Sequence, residues 1–116
     1  MMQLFDRTTR LLERALGLSL TRHNLIAANL ANMDTPGYVA RDLSFEAELR
    51  RAMETPPVPL EAALAEPPPQ VHEEGAVDLD RETARLAENT LMHDALGRLV
   101  AKKFEMLKYA IGEGGK

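Results

Sequence analysis

Leu4, Leu11, Leu18 and Leu25 stand seven residues apart, and the stripe ends just before Thr35-Pro36-Gly37-Tyr38. Phe5, Leu12 and Ile26 flank the leucines, and Ala15 lies one turn away. The stretch from Gln3 to Asn32 therefore predicts a helix with a coiled-coil type seam. Asp6, Arg7, Arg10, Glu13 and Arg14 fall largely on the other side. Gly17 in the middle costs about 1 kcal/mol relative to Ala and marks a bend or a close helix contact. Pro36 presets the φ of the first central turn position, and Gly37 accepts positive φ at the second. Thr35 precedes a proline and is pushed out of the α region. Asn32 or Asp34 can end the helix, in a left-handed conformation or by bonding the local backbone. A helix with such a seam cannot bury it alone and needs a second helix or a neighbouring molecule.

The other end of the chain supplies one. From Leu79 to Ile111 the row Leu79, Leu86, His93, Val100 and Leu107 recurs at seven, with Thr83, Thr90, Gly97, Phe104 and Ile111 as a companion row. Leu96, Leu99 and Met106 widen the apolar face. Asp78 or Asp80 caps this helix, and lysines at 102, 103 and 108 favour its C-terminal end before Gly112 and Gly114-Gly115. At 1.5 Å per residue it spans about 45 Å.

Residues 43–53 predict a short helix with Ser44 as N-cap, acids in the first turn and Arg50-Arg51 near the end. Phe45 and Leu49 form its apolar edge. Residues 55–75 break all periodicity. Six of the seven prolines lie there beside Glu61, Glu66, Glu73 and Glu74. Proline at this density blocks helix and sheet ladders alike, so a flexible acidic linker of polyproline character is expected. Pro56-Pro57-Val58-Pro59 lacks the flanking basic anchor of a proline-motif ligand.

The expected architecture is one all-α domain over 1–116. An N-terminal helix occupies 1–33, the turn and short helix 34–54, the linker 55–77, and the C-terminal helix 78–112. The two long helices pack as a coiled coil. At 116 residues the chain supports one core, and with aromatics at 4% that core is built from Leu, Ala, Ile, Val and Met.

The net charge of −4 is uneven: +2 over residues 1–33, −7 over 34–78 and +1 over 79–116. No basic stripe suggests nucleic acid. No run of 18 apolar residues suggests lipid insertion, and the first 33 residues lack the apolar stretch and cleavage site of a secretory signal. On residues alone the location is cytoplasmic. The absence of cysteine excludes disulfides, thiolate zinc sites and thiol catalysis.

Candidate chemistry is sparse. The histidines are His23, His72 and His93, and His93 lies on the seam, where a satisfied interface histidine is the ordinary reading. His72-Glu73-Glu74 opens like a zinc-protease helix, but position 76 is Ala rather than His. No convergent acid–base pair, phosphate loop or nucleophile context can be argued. No enzyme activity, metal or cofactor is expected.

Any helix can end in Asn-x-x-Thr-Pro-Gly for turn reasons. Those reasons account for Pro36 and Gly37 but not for Asn29, Asn32 and Tyr38 at their offsets. The decapeptide Asn29–Tyr38 resembles the N-x-A-N-x-x-T-P-G-Y signature of bacterial flagellar rod and hook proteins. Ala40–Glu46, Val77–Glu82, Ala84–Asn89 and Lys102-Lys103-Phe104 narrow the resemblance to the proximal rod family. The match covers about residues 3–54 and 76–111.

The resemblance implies a structural subunit of the flagellar basal body, exported by the flagellar type III apparatus without a cleaved signal. It implies self-assembly with other rod subunits, the rod–ring adaptor and the membrane ring, and torque transmission during motility. It makes Asn29, Asn32, Thr35, Pro36, Gly37 and Tyr38 an assembly motif that docks beside the terminal helices. Leu4, Leu11, Leu18, Leu25, Leu86, Val100, Phe104 and Leu107 would then hold the helix seam. A cytoplasmic helical hairpin that presents one seam to a protein partner is the alternative from a different class.

Overall fold

The structure, a computed structural model, describes residues 2–54 and 68–114, with side chains described for 7–54 and 68–112. Helix α1 runs from Met2 to Ala31, strand β1 from Ala40 to Leu43 and helix α2 from Phe45 to Glu54. Strand β2 follows at Val71–Gly75, and helix α3 closes the chain at Leu79–Gly114. The long axis is 64 Å and the others are 26 and 17 Å.

α2 and α3 start for local reasons. The Ser44 hydroxyl accepts from the Ala47 amide at 3.3 Å, and the Asp78 carboxylate from the Arg81 amide at 3.2 Å. Both are N-cap bonds that satisfy an otherwise orphan donor. Glu46 and Glu48 in α2, and Asp80 and Glu82 in α3, place negative charge in the first turn, where the helix dipole favours it.

The chain is mostly helical, but it is not all-α. β1 and β2 pair antiparallel, with Leu43 opposite Val71, Asp42 opposite His72 and Arg41 opposite Glu73. The next pair is Ala40 and Gly75, so Glu74 is an extra residue and the ladder bulges there. Gly75 takes a φ of +93° at the end of this strand. β2 comes from the segment expected as linker. Val-His-Glu-Glu-Gly carries little strand propensity of its own, and its main chain is ordered by the ladder it joins. The proline-rich stretch at 55–67 lies outside the described residues.

α1 and α3 lie side by side and antiparallel. Asn29 meets Glu82, Ser19 meets Asn89 and His93, and Thr9 and Leu12 share a groove with Val100 and Phe104. The core joins Ala15 and Leu18 of α1, Leu43 of β1, Phe45 at the start of α2, and Leu96 of α3. Leu12, Leu16, Leu25 and Leu49 pack around it. Among the described residues no helix is long and apolar enough to cross a membrane.

The seam of α3 is offset from the expected one. Leu86, Val100 and Leu107 are half-buried, as are Leu11 and Leu25 of α1, and Leu18 is fully buried. Phe104 is 63% exposed and only rims the groove, and Thr83, Thr90, Gly97 and Ile111 are exposed with it. The inward companion row is one residue earlier: Glu82, Asn89, Leu96 and Lys103. Three of those four are polar, so hydrophobic periodicity passed over them. Leu4 lies outside the residues whose side chains are described.

Candidate assembly site

The turn after α1 is built as its residue types demand. The Tyr38 amide donates to the Thr35 carbonyl at 3.2 Å, closing a four-residue turn, and Gly37 sits at φ +78°. Pro at the first central position and Gly at positive φ at the second define type II. Upstream, the Thr35 amide donates to the Asn32 carbonyl at 2.9 Å, and the Thr35 hydroxyl donates to Asn32 Oδ1 at 3.2 Å. Asn32 Nδ2 donates back to the Ala28 carbonyl at 2.9 Å. Asn32 and Thr35 thus terminate the helix and hand the chain to the turn.

Asn29 is the centre of the arrangement. It has no exposed surface, and its amide uses its full capacity. Nδ2 donates to the Arg41 carbonyl at 2.8 Å and to Glu82 Oε2 at 3.1 Å. Oδ1 accepts from the Arg41 amide at 3.0 Å and the Tyr38 hydroxyl at 3.1 Å. One side chain therefore ties the end of α1 to the turn, to β1 and to the start of α3. This explains why Asn29 and Tyr38 stand at their offsets: the turn must bring the chain back so that Tyr38 and Arg41 both reach position 29.

A charged cluster continues from there. Asp42, also buried, receives a fork from Arg22, Nε at 3.0 Å and Nη2 at 3.2 Å, and its Oδ1 accepts the Leu43 amide at 2.8 Å. Arg85 donates to both oxygens of Glu74, at 2.9 and 2.8 Å, and reaches Glu82 at 3.3 Å and Asp42 at 3.5 Å. The bulge at Glu74 re-aims that side chain toward Arg85. Further along α1–α3, Asn89 Nδ2 donates to the Ser19 carbonyl at 2.8 Å. The Ser19 hydroxyl donates to the Leu16 carbonyl at 2.8 Å and shares a hydrogen bond of 2.8 Å with His93 Nδ1. At the α2 end, buried Glu48 holds Arg51 at 3.1 Å and the Gln70 amide at 3.0 Å, anchoring the approach to β2.

Asp42, His72 and Glu74 bring ligand atoms within 4.8 Å of one another. Arg22 and Arg85 already neutralise both carboxylates, so a cation would have to displace them. The set works as an ion-pair cluster.

The family described as "Flagella basal body rod protein" matches residues 10–38, which take in α1 from Arg10 onward and the whole turn. The flagellar basal body rod protein FlgB of Escherichia coli (strain K12) is 34% identical, over 80% of this chain and 84% of its own length. FlgB of Salmonella typhimurium is 35% identical over 80% and 84%, and FlgB of Cereibacter sphaeroides 33% over 84% and 88%. The chain belongs to the FlgB family of flagellar basal-body rod proteins. It is a structural component of the rod, and its place is the flagellar basal body.

In this rod protein the expected motif residues are brought together as one unit, with Asn29, Asn32, Thr35 and Tyr38 bonded and Pro36 and Gly37 shaping the turn. The residues that complete the unit, Asp42, Glu74, Glu82, Arg22 and Arg85, were not among the expected site residues. Arg22 and Glu82 lie at inward positions of their helices, which is the signal that could have marked them.

The cluster makes stability depend on acid. Hydrogen bonds from Arg85, with the charges of Arg85 and Arg81 behind them, hold the Glu74 carboxyl below its usual 4.5 against the opposing effect of burial. A group whose folded value is depressed stabilises fully above its unfolded value and loses that contribution as pH falls through the folded one. The urea midpoint should therefore drop as pH is lowered below about 4.5. Glu74→Gln should start lower at neutral pH and drop less on acidification. An equal acid-induced drop in both proteins would rule out Glu74 as a contributor.

Proposed function

We propose that this chain is a self-assembling subunit of the proximal rod, and that the Asn29–Tyr38 motif acts by locking the subunit's own shape. The observation that carries the reading is the fourfold bonding of Asn29, which joins α1, the turn, β1 and α3 into one block. A subunit that transmits torque must not hinge between its terminal helices, and buried, fully satisfied polar groups oppose hinging because any opening leaves them unpaired. The partners in this reading are other rod subunits, the rod–ring adaptor and the membrane ring. Export runs through the flagellar export apparatus without a cleaved signal. The α1–α3 pair acts as an antiparallel coiled coil over the single domain, with Leu11, Leu18, Leu25, Leu86, Val100 and Leu107 in its seam.

Gly37→Val tests the motif. A Cβ at Gly37 meets nothing within 4 Å, so the variant is opposed only by its positive φ, at about 1–3 kcal/mol. α1 ends before the turn, and its own hydrogen bonds survive. The expected result is near-normal helicity by circular dichroism, an exported subunit, few basal bodies and poor swimming. Normal motility with a normal yield of basal bodies would make the turn incidental.

A further inference from the structure

α3 has a second apolar face that no described residue covers. Asn89, on the face toward α1, is 3% exposed, whereas Leu91 is 72% exposed. At 100° per residue these two positions point 200° apart, to opposite sides of the helix. Ala84, Leu91, Ala95, Leu99, Met106 and Tyr109 line the outward side, and all are exposed. Their spacing keeps them within one stripe along most of the helix. Apolar side chains grouped in this way mark an interaction surface, where scattered ones would not.

The charges along this stripe say what covers it. Glu88 lies on the N-terminal side of Ala95, and Arg98 and Lys102 lie on the C-terminal side. A parallel pairing of two such stripes would set Glu88 on Glu88 and Lys102 on Lys102. An antiparallel pairing centred on Ala95 reverses this. Leu91 then lies opposite Leu99, Glu88 opposite Lys102 with Arg98 one turn away, and Ala84 opposite Met106. Small meets large at the ends, and the small residue at the centre lets the two helices approach closely. The stripe between Ala84 and Met106 is about 33 Å long. A surface complementary to itself under a two-fold rotation is the requirement for an isologous contact.

We propose that the outward face of α3 binds the same face of a second copy of this chain, antiparallel, about a two-fold axis through Ala95. The pairing belongs to the isolated subunit and stands independently of how the rod is assembled. Its apolar centre supplies the association. The charged pairs set the direction, since exposed ion pairs add little affinity but like charges in apposition penalise the wrong orientation.

The chain has no cysteine, so single substitutions report cleanly. Ala95→Cys should form a disulfide-linked dimer on mild oxidation. Leu91→Cys alone should link to itself slowly, and a mixture of Leu91→Cys with Leu99→Cys should link readily. In sedimentation equilibrium the wild-type chain should dimerise. Glu88→Lys should weaken the dimer by about tenfold, and adding Lys102→Glu in the same chain should restore it. Every substituted side chain is exposed, so unchanged circular dichroism at 222 nm should accompany each variant. A wild-type chain that sediments as a monomer throughout the micromolar range overturns the pairing. Self-linking of Leu91→Cys as fast as that of Ala95→Cys overturns the antiparallel arrangement.

Discussion

Alanine at position 29 is expected to cost about 3–4 kcal/mol of folding stability. Asn29 is fully buried, and its removal leaves the Arg41 amide and carbonyl, the Tyr38 hydroxyl and one Glu82 oxygen without their shared partner. A buried polar group left unpaired costs about 1–3 kcal/mol, and part of that is recovered where water can enter. Against a total of about 5–15 kcal/mol for a domain, the loss is large. Urea unfolding followed at 222 nm should show a lower midpoint with an unchanged slope. Asn29→Asp should be worse at neutral pH than in acid, because it sets a second carboxylate against Glu82. A loss for Asn29→Ala of less than about 1 kcal/mol would mean that the junction is wet or already loose.

Asp42→Ala should be comparably severe, at about 3 kcal/mol, because it strands Arg22 and weakens the hold on Arg85. The isolated removal of one partner from a buried ion pair costs more than the pair contributes, since the remaining charge keeps its desolvation penalty. Replacing both Arg22 by Met and Asp42 by Leu should therefore recover much of the loss. The Leu43 amide still loses its acceptor in that double variant, so recovery should be incomplete. If the double variant is no more stable than Asp42→Ala, the charge on Arg22 is not the source of the cost.

Several elements were legible because their causes are local. The type II turn follows from Thr-Pro-Gly-Tyr alone, the caps at Ser44 and Asp78 from their side chains, and the two long helices from repeated apolar spacing. The family was legible in the Asn29–Tyr38 signature. The role of Asn29 was not, because its four partners sit at positions 38, 41 and 82, and only the fold brings position 82 beside position 29.

The chain by itself determined where it is helical, where it turns and which face of α1 is buried, since each depends on residues within one or two turns of one another. The tertiary structure alone decided the rest. It made a strand of Val71–Gly75, where only Val71 favours one before β1 offers its main chain. It chose Glu82 and Asn89 over Thr83 and Thr90 as the inward row of α3, because bonding partners on α1 outweigh side-chain hydropathy once the groups are buried. It drew Arg22, Asp42, Glu74, Glu82 and Arg85 from four elements into one cluster. A charge can lie inside a small protein only where its counter-charges are already waiting, and no stretch of sequence shorter than the whole chain carries that information.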